Sequence, residues 1–209
     1  MNNKEKIVEE LSQSLIKTLQ NKIKDVISEK RYIHSLGVQY TAASLAMIYD
    51  VDILRAEIAG ILHDSAKALS DKEILKECKK LDLSVSEVEK QAPSNLLHAK
   101  VGAVYAKRKY DIDDEEIISA IRWHTTGKPE MSTLEKIIFV ADYIEPGRKM
   151  ITGLTEVRKV AFTDIDKAVY LELHNTITYL EEKNSNTFKS MDEHTLEAYK
   201  YYKNIVENK

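Results

Sequence analysis

The chain has 209 residues, of which 31% are charged, and a formal net charge of only −3. That length suits one domain with a sizeable core, and the near-balance of charge excludes a coat for nucleic acid or for an acidic membrane surface, so any bound anion must be held locally. A lone cysteine, Cys78, rules out an internal disulfide, and no stretch approaches the ~18 consecutive apolar residues of a membrane span; the expectation is a cytoplasmic protein with no nucleic-acid or membrane partner.

Apolar residues recur three and four apart almost throughout, with few glycines or prolines and no sustained two-residue alternation, so the fold is predicted to be all-α, a single domain over residues 1–209. In chain order, the string RYIHSLGV places His34 in line with Val38, Thr41, Leu45 and Ile48 on one predicted helix. GILHDSAK sets His63 and Asp64 directly after Ile61 and Leu62 in an apolar run. Ser70 with Glu73, Ser84 with Glu87 and Ser132 with Glu135 each read as a capping box that opens a helix. The runs KECKK, which holds Cys78, and DDEE read as solvated helix faces, and Cys78 as a bystander. His98 shares a stripe with Val101 and Tyr105, and His124 continues that of Ile117 and Ile121 on a helix that Trp123 ends before the Gly127–Pro129 turn. Asp142 lies one turn after Ile138, in the last turns before Pro146–Gly147.

A neutral imidazole is readily buried when its nitrogens find partners, so any one of these histidines alone reads as packing. The carboxylates decide the matter. An ionised Asp among apolar residues costs several kcal/mol unless a cation offsets it, and a helical bundle lets such groups converge on a metal from facing helices. Adjacent helix residues diverge by about a quarter-turn, which lets His63 bind an ion while Asp64 binds or bridges it. By contrast His174, in line with Tyr170 and Ile177, is assigned to packing. His194, before the helix TLEAYKYYKNIVE, goes to the surface, and Tyr199, Tyr201 and Tyr202 to a core or subunit contact.

Taken in order, RYIHSLGV, GILHDSAK, LLHAKVGA, IRWHTTG and VADYIEPGR resemble the blocks of the HD superfamily of metal-dependent phosphohydrolases, and within it the YqeK-like symmetrical diadenosine tetraphosphate hydrolases. The likeness covers most of the chain, with a motif core at about 31–148; the C-terminal NSNTFKSMDEHTLEAY matches only loosely. The resemblance implies an HD-type helical bundle with His34, His63, Asp64 and Asp142 as metal ligands. It implies iron as the metal, exchangeable with manganese, cobalt, nickel or zinc, which imidazole–carboxylate sets also suit. In such enzymes positions like His98 and His124 hold a second metal or face the substrate phosphates, and both roles stay open.

The implied reaction is attack of a metal-bound hydroxide on a phosphoanhydride, converting diadenosine tetraphosphate and water to two ADP, with Asp64, His63 and Lys67 as the catalytic set. Cations must gather near the metal, and Arg31, Lys67 and Arg148 stand next to ligand positions as a phosphate clamp, each with a surface salt bridge as the plainer reading. Lys67 is expected on the same helix face as His63 and Asp64, while Thr125, Thr126 and Gly127 either offer donors to phosphate or cap the helix before them. The alternatives are an HD hydrolase of nucleoside monophosphates, deoxynucleoside triphosphates, cyclic nucleotides or guanosine alarmones, a nucleotide sensor without turnover, and a helical scaffold with buried polar networks. A homodimer is compatible with all of them.

Overall fold

The computed structural model describes residues 3–183 and 191–208 and bears out the all-α expectation: ten α-helices, one 3-10 turn and no strand among those residues. The first part of the loosely matching C-terminal block, 184–190, lies outside them. In chain order the helices are α1 (Asn3–Lys24), α2 (Glu29–Ile48), α3 (Ile53–Leu62), α4 (Asp71–Lys80), α5 (Pro93–Tyr110), α6 (Glu115–Trp123), α7 (Thr133–Ile144), α8 (Leu154–Val160), α9 (Ile165–Lys183) and α10 (Glu193–Glu207). Helices α2, α3, α5, α6 and α7 pack on one another as the central bundle, α8 and α9 line its side along α7, and α10 packs on α9. No helix among the described residues is long and apolar enough to cross a membrane.

Two of the three expected capping boxes form, at Ser70–Glu73 and Ser132–Glu135. The third is displaced by two residues. Ser86 and Glu89 exchange the side-chain and backbone bonds, because Glu89 is buried and paired with Lys100 of α5 while Glu87 stays in solvent, and only the 3-10 turn Glu89–Gln91 results. Cys78 faces the core although its neighbours Lys79 and Lys80 are exposed, so KECKK is not solvated throughout, and burial pushes the thiol's pKa up. In DDEE, Asp114 caps α6 through the amides of Glu116 and Ile117. Ile48, expected on the buried stripe of His34, lies at the exposed end of α2.

Glycine sets how closely α2 and α3 approach. A Cβ on Gly60 would stand 2.8 Å from the Gln39 Cα, so only hydrogen at that position lets the two backbones meet, carrying the end of α3 toward His34.

Candidate metal centre

Six side chains from five helices converge at one end of the bundle: His34 from α2, His63 and Asp64 just past α3, His98 from α5, His124 just past α6 and Asp142 from α7. The sequence placed all six on helices. In fact His63, Asp64 and His124 follow the last helical residue, where tight turns such as Lys67 N–H to Asp64 O take the chain away. Lys67 therefore lies in a turn, not on the helix face expected for it.

The helix ends explain how two of the imidazoles are aimed. His63 Nδ1 is 2.7 Å from the Gly60 carbonyl and His124 Nδ1 is 2.7 Å from that of Ile121, so each ring donates to a carbonyl three residues back that the ending helix leaves without a partner. That bond fixes Nδ1 as the protonated nitrogen and turns the Nε2 lone pair inward. His34 reaches the same state through tertiary structure: its Nδ1 is 3.1 Å from Glu145 Oε1. Glu145 is buried, accepts the Gly147 amide, and fits only because Gly37 has no Cβ, which would lie 2.6 Å from its Oε2.

Asp64 is shared by the whole cluster. Its Oδ2 stands 3.3 Å from His63 Nε2, 3.7 Å from His34 Nε2 and 2.6 Å from Arg31 Nη1, while Oδ1 stands 3.3 Å from His98 Nε2 and 3.9 Å from His124 Nε2. Asp142 Oδ1 closes the other side at 3.0 Å from His34 Nε2, 3.8 Å from His63 Nε2 and 3.0 Å from Arg148 Nη2. His34 Nε2 and His63 Nε2 are buried and make no hydrogen bond, although carboxylate oxygens are close. Lone pairs facing carboxylates across such distances repel unless a proton or cation lies between, so the donor set fits a divalent metal. Three triplets have ligand atoms within 4.8 Å of one another: His34, His63 and Asp64; His63, His124 and Asp142; and Asp64, His98 and His124.

His98 differs from the other imidazoles. Its Nδ1 is 3.3 Å from Lys67 Nζ, which can only donate, so in the neutral ring Nε2 carries the proton. That nitrogen is 3.1 Å from His124 Nε2, and Thr125 Oγ1 is 3.1 Å from both. Arg31 and Arg148, expected at phosphate, are each in contact with a carboxylate of the cluster. Thr125 faces the cleft, whereas Thr126 bonds to the Gly127 carbonyl, and Gly127, at φ +64, terminates α6 by donating to Trp123 O. His174 is exposed at the cleft and stacks with Tyr170 and Tyr199, while His194 lies on the surface against Trp123 and Tyr202 fills the core.

Burial opposes charge on every one of these groups, and the sign of each shift shows what overrides it. In Asp64 the neighbouring His63, His98 and His124 hold the carboxyl well below its usual range despite burial, and in Asp142 contact with His34, His63 and Arg148 does the same. His63 is burdened by burial yet raised by Asp64 and Asp142. Burial lowers His98 strongly, helped by Lys67, and takes His124 down to about 4, helped by His63. Lys67 is lowered by burial and by Arg31 and Arg148, against the pull of Asp64.

A pH dependence of stability follows for metal-stripped protein. His124 binds its proton near pH 4 when folded and near ~6.5 when unfolded, so the unfolded chain holds more protons between those values and stability falls as pH drops through the window, by about 3 kcal/mol from this residue. His98 adds in the same direction, and His63, raised in the fold, acts oppositely. Thermal unfolding in chelator is expected to show a lower Tm at pH 4.5 than at pH 7, with a shallower slope in His124→Gln; equal slopes would contradict this.

Two groups at the cleft escaped sequence reasoning. Glu145 lies three residues after Asp142, and the argument from buried carboxylates that singled out Asp64 would have flagged it. Glu172, buried between Leu171 and Leu173 on α9, carried the same signal. The cluster opens into a cleft of ≈ 1410 Å³ whose walls include Arg31, Ile33, Lys67, Tyr143, Arg148 and Glu172.

Helices that bring histidines and a His–Asp pair around one carboxylate make an all-α bundle with a candidate metal centre. The HD domain matches residues 31–147. A symmetrical bis(5'-nucleosyl)-tetraphosphatase of Halalkalibacterium halodurans is 45% identical over 162 residues, 78% of this chain and 85% of that protein. The protein of the same name from Bacillus subtilis is 43% identical over 166 residues, 79% and 88% of the respective lengths. A crystal structure from Clostridium acetobutylicum, described as a predicted HD superfamily hydrolase involved in NAD metabolism, superposes with a TM-score of 0.84 at 40% identity, covering 92% of this chain and 97% of that one. The chain belongs to the HD-domain family.

Proposed function

We propose that this protein is a symmetrical bis(5'-nucleosyl)-tetraphosphatase that hydrolyses diadenosine tetraphosphate at its central phosphoanhydride, giving two ADP. The observation that carries the reading is the six-residue cluster around Asp64, set in a chain 43–45% identical over most of its length to two proteins of that name. His34, His63, Asp64 and Asp142 would hold a divalent metal, which we take to be iron. Such an ion, when bound, acidifies water and neutralises charge on phosphate oxygens.

The chain's own residues supply the rest. Arg31, Lys67 and Arg148 line the cleft and present cations to the phosphate chain, with Arg31 and Arg148 also balancing Asp64 and Asp142. His98 and His124 take either a second metal or the phosphates; the Nε2–H that Lys67 imposes on His98 suits donation to a phosphate oxygen. Glu145 orients His34, and Glu145→Ala is expected to weaken metal affinity by about 10–100-fold in competition titrations with a chelator while the fold persists. Unchanged affinity would remove Glu145 from the metal's support.

Product analysis on a nucleotide panel, paired with elemental analysis of the purified protein, tests the reading. The expected result is bound iron and ADP as the sole nucleotide product from diadenosine tetraphosphate. Cleavage of nucleoside monophosphates with the dinucleotide left intact would assign the site to another HD activity.

A further inference from the structure

Among the described residues, Glu172 is the one buried carboxyl of the cleft that neither joins a metal-ligand triplet nor makes an ion pair. It is only 6% exposed, and its Oε2 has no hydrogen-bond partner. Burial and the nearby Asp142 charge push it well above the usual carboxyl range, and Arg148 pulls the other way; one turn further along α9, Asn175 reaches the hydroxyl of Tyr143, the residue after Asp142, so Glu172 lies on the α7 side of the cleft. A buried oxygen left unmatched is costly, and in a ligand cleft the natural partner is a donor on the ligand.

The helix that carries Glu172 gives the order of what lies beyond it. On α9, Glu172, Asn175, Thr176 and Tyr179 are spaced three, four and seven apart and line the cleft together with residues of other faces, such as His174 and Glu182, so the cleft follows the helix outward from the metal centre. From Glu172 to Tyr179 the rise is about 10 Å. Asn175 is fixed midway: its Nδ2 is 3.4 Å from the Tyr143 hydroxyl, and the Gly153 backbone presses so close that a Cβ there would stand 2.2 Å from the amide. In a nucleotide the group next to the phosphate is the sugar, followed by the base. With phosphate at Asp142 and Arg148, the sugar falls at Glu172 and the base lies further out toward Tyr179.

We propose that Glu172, steadied by the Asn175 turn of α9, forms the sugar subsite of the cleft, its Oε2 accepting a hydrogen bond from a ribose hydroxyl. This rests on the nucleotide reading of the site given above. A hydroxyl both donates and accepts, so it satisfies this carboxyl in either protonation state, and the contact gives the enzyme a means of telling ribonucleotides from their dideoxy counterparts.

The test compares metal-loaded wild type, Glu172→Ala and Glu172→Gln on diadenosine tetraphosphate and on its analogue with 2',3'-dideoxy sugars, with ADP, GDP and 2',3'-dideoxy-ADP titrated as binding probes. Wild type should favour the ribose forms by about tenfold or more in both kcat/KM and Kd. Glu172→Ala should lose that much on the ribose forms and discriminate no longer, whereas Glu172→Gln, which keeps an acceptor oxygen, should still discriminate. Metal content should match wild type in both variants. Discrimination undiminished in Glu172→Ala, a loss seen with adenine but not with guanine nucleotides, or a fall in bound metal would each overturn the assignment, the last two in favour of base recognition and of a metal ligand. If wild type cleaves neither tetraphosphate, the proposed activity fails, and the ADP titrations still decide the role of Glu172.

Discussion

Asp64→Ala is expected to yield folded protein with much less than stoichiometric metal and turnover reduced at least about a thousandfold. The reason is the sharing seen around this side chain. One oxygen faces His34 and His63 and the other faces His98 and His124, so its removal takes from the cluster the one carboxylate that all four imidazoles face. Three inward-turned imidazole lone pairs then have only Asp142 to balance a divalent charge, and Arg31 loses its partner. Circular dichroism, elemental analysis and product release over time check the three parts of the expectation separately. Near-normal turnover would be incompatible with a centre built on Asp64, and misfolding would be distinguished by the isosteric Asp64→Asn, which keeps shape and removes charge.

Lys67→Ala is expected to leave metal content intact and to lower kcat/KM by about 10²–10³-fold. The ammonium is mostly buried in the cleft wall, tethered to the Ser94 carbonyl and to His98 Nδ1, and Arg31 and Arg148 lower its pKa together with burial. A cation held this way is fixed in advance and does not have to reorganise when phosphate arrives. Lys67→Arg should recover part of the loss. If metal falls in parallel with activity, Lys67 supports the centre and does not bind phosphate.

The six residues of the cluster were legible because each breaks an apolar stripe, and their family blocks gave the order. What the pattern could not convey was position along the helix axis. Periodicity places His63, Asp64 and His124 on a face equally well whether they are the last helical residues or the first ones after, and the difference rests on turns closed by three-residue backbone bonds. The Ser84 box fails for a similar reason: Ser84 with Glu87 and Ser86 with Glu89 are equivalent as sequence, and only the burial of Glu89 against Lys100 chooses between them. Glu145 and Glu172 carried the same signal as Asp64, but their roles depend on what they face in the fold, His34 across 111 positions in one case and the cleft in the other. His174 shows the converse. Its stripe is as regular as that of His124, yet it ends exposed beside two tyrosines, away from the cluster of ligand triplets.

The helix-end bonds of His63 and His124 divide the cluster by how each part is assembled. Those two rings are aimed by carbonyls three residues away, so short segments of chain orient them as soon as α3 and α6 wind up. His34 and His98 take their orientation from Glu145 and Lys67, far off in sequence, and acquire it only when the bundle closes. The rings of His63 and His124 thus need only the packing of α3 on α6 to meet, whereas those of His34 and His98 await partners from elsewhere in the bundle.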